Sequence, residues 1–307
     1  MISVKNLIKN YRNIQALKGV SFNINSGEVF GYIGPNGSGK TTTIRIVCGL
    51  VRPNSGSVEI LGTDALRKFD KIGCKIGVVM ENNGLYPNLT AVENLEFFDR
   101  LFADNKSQRH VRIEEALEMV ELTDRKSYLI KTYSKGMQRR LSITRALLAQ
   151  PKILILDEPF DGIDVESRHT LIKILKQWVQ EPGRCIFMTS HNMADIESVC
   201  TSLAIIKEGE IIAYDTINNL GNKNGITNIE VIFTELPDEK AINDILKNIQ
   251  SIVGYNIDGN TVFIKSKDFQ IGSEVASRFL SSGFKFAEIK NKRESIEEFY
   301  LRIVKKQ

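Results

Sequence analysis

The stretch Gly34-Pro35-Asn36-Gly37-Ser38-Gly39-Lys40-Thr41 has the spacing G-x-x-x-x-G-K-[ST], and Thr42 follows it. Glycines here let the backbone curl so that successive N–H groups converge on one anion, and the helix that starts next adds the positive end of its dipole. Lys40 brings a positive charge for phosphate oxygens, and the Thr41 hydroxyl is a hard oxygen ligand suited to Mg²⁺. A glycine-rich turn with a surface lysine is the bland alternative, and the strand and helix patterns on either side weigh against it. Further on, Asp157 and Glu158 close the apolar run Ile153-Leu154-Ile155-Leu156. At the end of a buried strand, one carboxylate can hold the hydration shell of a divalent cation and the other can polarise an attacking water. Taken alone, the same pair could merely cap the next helix. His191 follows a second such run, Cys185-Ile186-Phe187-Met188, at the sheet edge where a terminal phosphate would be held. Ser134 heads a helical pattern running toward Gln150 and reads as an N-cap.

These residues need elements to hold them. Glu28–Ile33 reads as a strand entering the glycine loop, and Thr41–Val47 as the helix leaving it. The alternating runs Ile2–Val4, Val20–Ile24 and Val58–Ile60 predict half-buried antiparallel strands. The continuous apolar runs before Asp157 and His191 predict parallel strands buried on both faces. Helical periodicity covers 91–102, 111–121, 134–149 and 165–180, with a mostly helical insert at about 85–145, and Thr90 with Glu93 forms a capping box at its start. After Leu220 the texture changes, Gly221–Gly225 reads as a linker, and 221–307 follows the order β-α-β-β-α-β of a split ferredoxin-like fold plus a final helix. The expected fold is α/β: a phosphate-loop domain at 1–220 with an antiparallel β subdomain and a helical insert, and a small α+β domain at 221–307.

With 307 residues, 42% apolar and 25% charged, the chain reads as an ordinary globular protein. It has no run approaching the roughly eighteen apolar residues of a membrane span and no signal-peptide pattern, which excludes a secreted or membrane-spanning chain. Four well-separated cysteines suggest neither a disulfide framework nor a zinc site, and a reducing cytoplasm fits them. The 41 basic residues are offset by 37 acidic ones with no basic tail, so no nucleic-acid partner is expected.

In this order the motifs resemble the ATPase subunit of an ATP-binding cassette (ABC) transporter over roughly residues 1–220. The resemblance implies a P-loop NTPase cassette that uses ATP and Mg²⁺. It implies that Tyr11 stacks on adenine, that Gly34–Thr41 with Thr42 hold the triphosphate, and that Thr41 and Asp157 hold the metal. Glu158 becomes the general base, His191 the residue touching the γ-phosphate, and Asp164 a contact to a partner subunit. The family's Leu-Ser-Gly-Gly-Gln signature starts a helix that caps the ATP bound by the opposite subunit. Here it reads Tyr133-Ser134-Lys135-Gly136-Met137, keeping Ser134 and Gly136 and departing at Lys135 and Met137. Where the family commonly has glutamine after the strand leading to the helical insert, this chain has Glu81, expected to take the same place at Mg²⁺ or water. The neighbourhood of Leu85–Thr90 corresponds to the groove that receives a helix of the membrane subunit. The implied partners are a second cassette, identical or sibling, and an integral membrane permease that holds this chain on the cytoplasmic face of the cell membrane. The signature variant and the extra C-terminal domain look like the branch exporting drugs, antibiotic peptides, polysaccharides or lipids. The alternative is a non-transport cassette ATPase acting on nucleic acid or the ribosome, which a single cassette without a coiled coil or basic tail disfavours.

Overall fold

Strands β1 (Ile2–Tyr11) and β2 (Ile14–Ile24) pair antiparallel in a long hairpin whose inward residues, among them Ile2, Val4, Phe22 and Ile24, are fully buried. In β3 (Val29–Ile33) every residue is buried, and it runs through the glycine loop into α1 (Lys40–Val47). Strands β4 (Ser55–Ile60) and β5 (Thr63–Asp64) complete the antiparallel sheet, in the order β2-β1-β4-β5. After β6 (Ile76–Val79) come three helices, α2 (Ala91–Phe102), α3 (Arg109–Met119) and α4 (Lys135–Leu147). Their own small core includes Leu95, Ile113, Leu117, Leu141 and Leu148. The Asp99 carboxylate, fully buried on α2, accepts hydrogen bonds from Arg109 and Arg112 of α3 at 2.9 Å and so ties the two helices together.

The chain then returns to the sheet through β7 (Ile153–Leu156), α5 (Val165–Val179), β8 (Cys185–Ser190), α6 (Met193–Val199), β9 (Ser202–Lys207) and β10 (Glu210–Thr216). The six-stranded sheet has the order β10-β9-β3-β8-β7-β6, parallel from β9 through β6. The completely buried β3, β7 and β8 sit at its centre, as their unbroken apolar runs require. Phe22 of the antiparallel sheet packs on Phe30 and Phe187 of the parallel sheet, with ring centroids 5.1 and 5.5 Å apart, and this aromatic layer joins the two sheets.

The computed structural model describes all residues except 103–107, 223–226, 236–237, 294 and 306–307. It divides into units Met1–Asp215 and Thr216–Gln307. The second unit comprises α7 (Ile217–Asn222), β11 (Thr227–Phe233), α8 (Glu239–Lys247), β12 (Ile252–Asp258), β13 (Thr261–Ser266), α9 (Gly272–Ser281), β14 (Phe286–Arg293) and α10 (Ile296–Lys305). Its antiparallel sheet, ordered β12-β13-β11-β14, packs against α8 and α9 around Val231, Phe233, Ile242, Val262 and Phe279. This is the ferredoxin-like arrangement. The units part after Asp215, whereas the change of texture points to Leu220; Leu220 is buried in α7, and Gly221 and Asn222 end that helix instead of opening a linker. The rest of the expected linker lies outside the described residues.

Candidate functional site

The glycine loop joins the C-terminal end of β3 to the N-terminus of α1, where the four first N–H groups of the helix need partners. Gly39 occupies the N-cap with φ 112° and no side-chain cap, so these donors stay available to an anion. A Cβ at Gly34 would lie 2.2 Å from the Ile206 carbonyl and 2.6 Å from Ser38 Oγ, so no other residue fits there. Ser38 Oγ is itself buried and, among the described residues, has no hydrogen-bond partner. Lys40 is 6% exposed; its ammonium donates to the Gly34 carbonyl at 2.7 Å and lies 3.6 Å from Glu158 Oε1.

The carboxylate pair follows β7. Asp157 is 2% exposed, and its Oδ1 accepts a hydrogen bond from Thr189 Oγ1 at 2.6 Å. The same Thr189 oxygen accepts the Glu158 N–H at 3.0 Å, so one hydroxyl at the end of β8 sets both carboxylates. Glu158 has φ 49°, a left-handed conformation that costs a non-glycine residue about 1 kcal/mol or more. It is held there from several sides: Asp161 N–H donates to its carbonyl, His191 N–H donates to Oε2 at 3.2 Å, and His191 Nδ1 lies 2.9 Å from the same oxygen.

These elements enclose a cleft of about 450 Å³ lined by Ala16, Asn36, Gly37, Gly39, Lys40, Thr41, Thr42, Glu81, Glu158, Asp161 and His191. The structure thus brings most of the expected residues together at the C-terminal ends of β3, β7 and β8, the sheet edge where such folds take ligands. Gly34, Ser38 and Asp157 are buried and absent from that lining, and Pro35 is exposed outside it. Tyr11 is not in the lining; it is 42% exposed at the tip of the first hairpin, with the Lys9 ammonium 4.9 Å from its ring centroid.

Ser134, Gly136 and Asp164 also stand outside the cleft. Ser134 is exposed and caps α4, accepting the Met137 N–H at 3.2 Å. Gly136 has a reason inside its own chain, for a Cβ there would meet Ser167 Oγ at 2.1 Å and Asp164 Oδ2 at 3.2 Å. Asp164 caps α5 through the Ser167 N–H and hydroxyl, at 2.8 and 2.9 Å, and these bonds hold its carboxyl below the usual carboxylate range. Three residues of the site escape motif reasoning. Thr189 had a signal, a hydroxyl ending an otherwise apolar buried run. Asp161 and Arg139 had none, because only the folded chain brings Asp161 to the cleft wall and Arg139 against the carbonyls of Met80 and Glu81.

A helix-borne glycine loop, a carboxylate pair and a histidine on neighbouring parallel strands define a P-loop nucleoside triphosphatase. Residues 17–161 match the family described as ABC transporter. The linearmycin resistance ATP-binding protein LnrL of Bacillus subtilis is 40% identical over 225 residues, covering 73% of this chain and 72% of its own length. The bacitracin transport ATP-binding protein BcrA of Bacillus licheniformis is 29% identical over 304 residues, covering 99% of this chain and 97% of its own. Among solved structures, the dimeric post-hydrolysis state of the ATP-binding cassette MJ0796 bound to ADP and Pi has a TM-score of 0.65 at 30% identity, over 70% of this chain and 98% of that one. The chain belongs to the ABC transporter family, as an ATP-binding subunit and an ATPase.

Proposed function

We propose that two cassettes, this chain and a copy or sibling, close head to tail around two ATP molecules, and that closing and reopening drives a separate integral membrane subunit exporting its substrate. The observation that carries this is a separation within one chain: Lys40, Glu158 and His191 meet at the cleft, while Ser134 stands exposed at the head of α4, outside that cleft's lining. A helix N-terminus headed by an exposed serine has work to do when it meets the ATP of a second chain. The dimeric, ADP- and Pi-bound state of the related cassette supports the same reading.

Lys40 neutralises the β- and γ-oxygens, the loop N–H groups and Ser38 hold the β-phosphate, and Tyr11 stacks on adenine. Among the described residues no group of three or more His, Cys, Asp and Glu side chains forms a metal cage. This suits a Mg²⁺ ion that arrives with the phosphates and takes only a few protein oxygens, those of Thr41 and Asp157 with Glu81 on the cleft wall. When bound it would neutralise charge on the γ-phosphate. Glu158 takes the proton of the attacking water as oxygen bonds to the γ-phosphorus and the bond to the β–γ bridging oxygen breaks, releasing ADP and phosphate. His191 orients that carboxylate, and Asp164 meets the partner cassette.

The membrane subunit docks beside Leu85–Thr90, where Tyr86 is 45% and Phe97 43% exposed in one aromatic cluster. Outward transport follows the resistance and transport names of the relatives. The C-terminal unit stabilises or regulates the dimer, and its deletion is expected to change dimerisation or activity. The test is Glu158→Gln with ATP and Mg²⁺: a stable dimer by light scattering, with turnover slowed at least about a hundredfold. A monomer at saturating nucleotide would refute the proposal.

A further inference from the structure

Two guanidinium groups of α4 hold the loop after β6 by its backbone. Arg139 donates to the carbonyls of Met80 at 3.1 Å and Glu81 at 3.4 Å, and Arg145 to those of Gly84 at 2.8 Å and Val78 at 3.4 Å. Arg139 is the unusual one. It is 5% exposed, yet among the described residues no carboxylate lies within ion-pair distance of it. A guanidinium buried against carbonyls with no carboxylate in contact is costly, because two carbonyl hydrogen bonds repay only part of the lost hydration. Burial lowers its pKa, and the charges that oppose this are, in order, Asp161, Asp157, Glu81 and Glu158. Three of those four line the cleft, against a single lysine. A triphosphate entering that cleft adds more negative charge beside Glu81.

We propose that Arg139 is a positioning residue for Glu81: its buried guanidinium fixes the loop that presents this carboxylate to the cleft and offsets the carboxylate's charge there. The proposal rests on the reading of this cleft as the ATP site. Because Ser134 also caps α4, the loop beside one chain's own nucleotide and the helix cap offered to the partner's nucleotide belong to one clamped assembly.

A double-mutant cycle tests it, with the full chain as wild type, Arg139→Gln, Glu81→Gln and the double variant. Three quantities are read: affinity for a fluorescent ATP analogue in EDTA, the thermal midpoint, and ATPase kcat and KM. A unit charge acting across roughly 10 Å at an effective dielectric of about 20 changes affinity on the order of tenfold. Arg139→Gln is expected to weaken metal-free binding by about tenfold, and the double variant to return to within about threefold of wild type. Arg139→Lys keeps the charge but not the two-carbonyl fork, so binding is expected to hold while kcat falls. If the Arg139→Gln defect, whether in affinity or in folding, is unchanged by Glu81→Gln, Arg139 is a packing residue and the proposal is overturned. Wild-type affinity in Arg139→Gln overturns it as well. If wild type does not bind the analogue, or Glu81→Gln alters neither affinity nor turnover, the assignment of Glu81 to the nucleotide cleft fails instead.

Discussion

Thr189→Val removes one oxygen and keeps the side chain's shape. In the wild type that oxygen is fully buried, donates to Asp157 Oδ1 at 2.6 Å and accepts the Glu158 N–H at 3.0 Å. A hydrogen bond to a charged group contributes about 1.5–3 kcal/mol, and a neutral one about 1 kcal/mol. Valine recovers a part by burying a methyl group where a hydroxyl stood, which leaves a loss of roughly 2–3 kcal/mol. For a unit of this size that is a fall of roughly 5–10 °C in the thermal midpoint. Catalysis is expected to suffer separately. Glu158 sits in a left-handed conformation that its neighbours must enforce, and in its proposed role as general base a displacement by a fraction of its reach costs on the order of ten- to a hundredfold in kcat. Nucleotide affinity in EDTA is expected to stay within about threefold, because the glycine loop and Lys40 are untouched by the change. Calorimetry, phosphate release and fluorescent-nucleotide titration measure the three quantities, with Thr189→Ser as the control that keeps both bonds. Wild-type turnover in Thr189→Val with a midpoint shift under about 2 °C would refute the argument that one hydroxyl sets both carboxylates.

Three further outcomes are expected. Gly136→Ala destabilises the nucleotide-free chain by about 1–3 kcal/mol through overpacking against Ser167 of α5 and so lowers its midpoint, and Ser167→Gly in the same chain relieves it; an unchanged midpoint would show that this close approach of α4 to α5 does not constrain Gly136. Ser38→Ala leaves the nucleotide-free midpoint unchanged or raises it, since an unpartnered buried hydroxyl is lost, yet shrinks the midpoint rise that ATP produces; a lower nucleotide-free midpoint would contradict this. Asp164 is held below the usual carboxylate range by the Ser167 N–H and hydroxyl, so its stabilisation is present above about pH 4 and is lost as pH falls through the lowered value. The midpoint of wild type is therefore expected to fall more between pH 5 and pH 3 than that of Asp164→Asn, by differential scanning fluorimetry; parallel curves would remove the carboxylate from the acid response.

Local spacing made the glycine loop, the strand before Asp157 and most helices legible. Helix α2 spans Ala91–Phe102, where the periodicity puts it, and the Thr90–Glu93 box is formed, with Thr90 N–H to Glu93 Oε2 at 2.7 Å. The first hairpin is longer than its alternating runs, because register shifts after Val4 and Lys9 break the period-two pattern while the ladder continues. The placing of β3 between β8 and β9 depends on pairings remote in sequence, which no window of residues contains. Arg139 shows the same limit: nothing in its local spacing marks it, and only the loop after β6, brought against it by the fold, makes it a buried charge. Gly136 was legible as a signature residue, but its collision with Ser167 required coordinates.

The contact of Lys40 with Glu158 gives the resting protein an interlock. With the Lys40 ammonium 3.6 Å from Oε1 and His191 Nδ1 2.9 Å from Oε2, each oxygen of the Glu158 carboxylate has a partner within its own chain. On the proposed reading of the cleft, phosphates that enter it compete with Glu158 for the same ammonium, so the substrate itself would free an oxygen of the group that activates water.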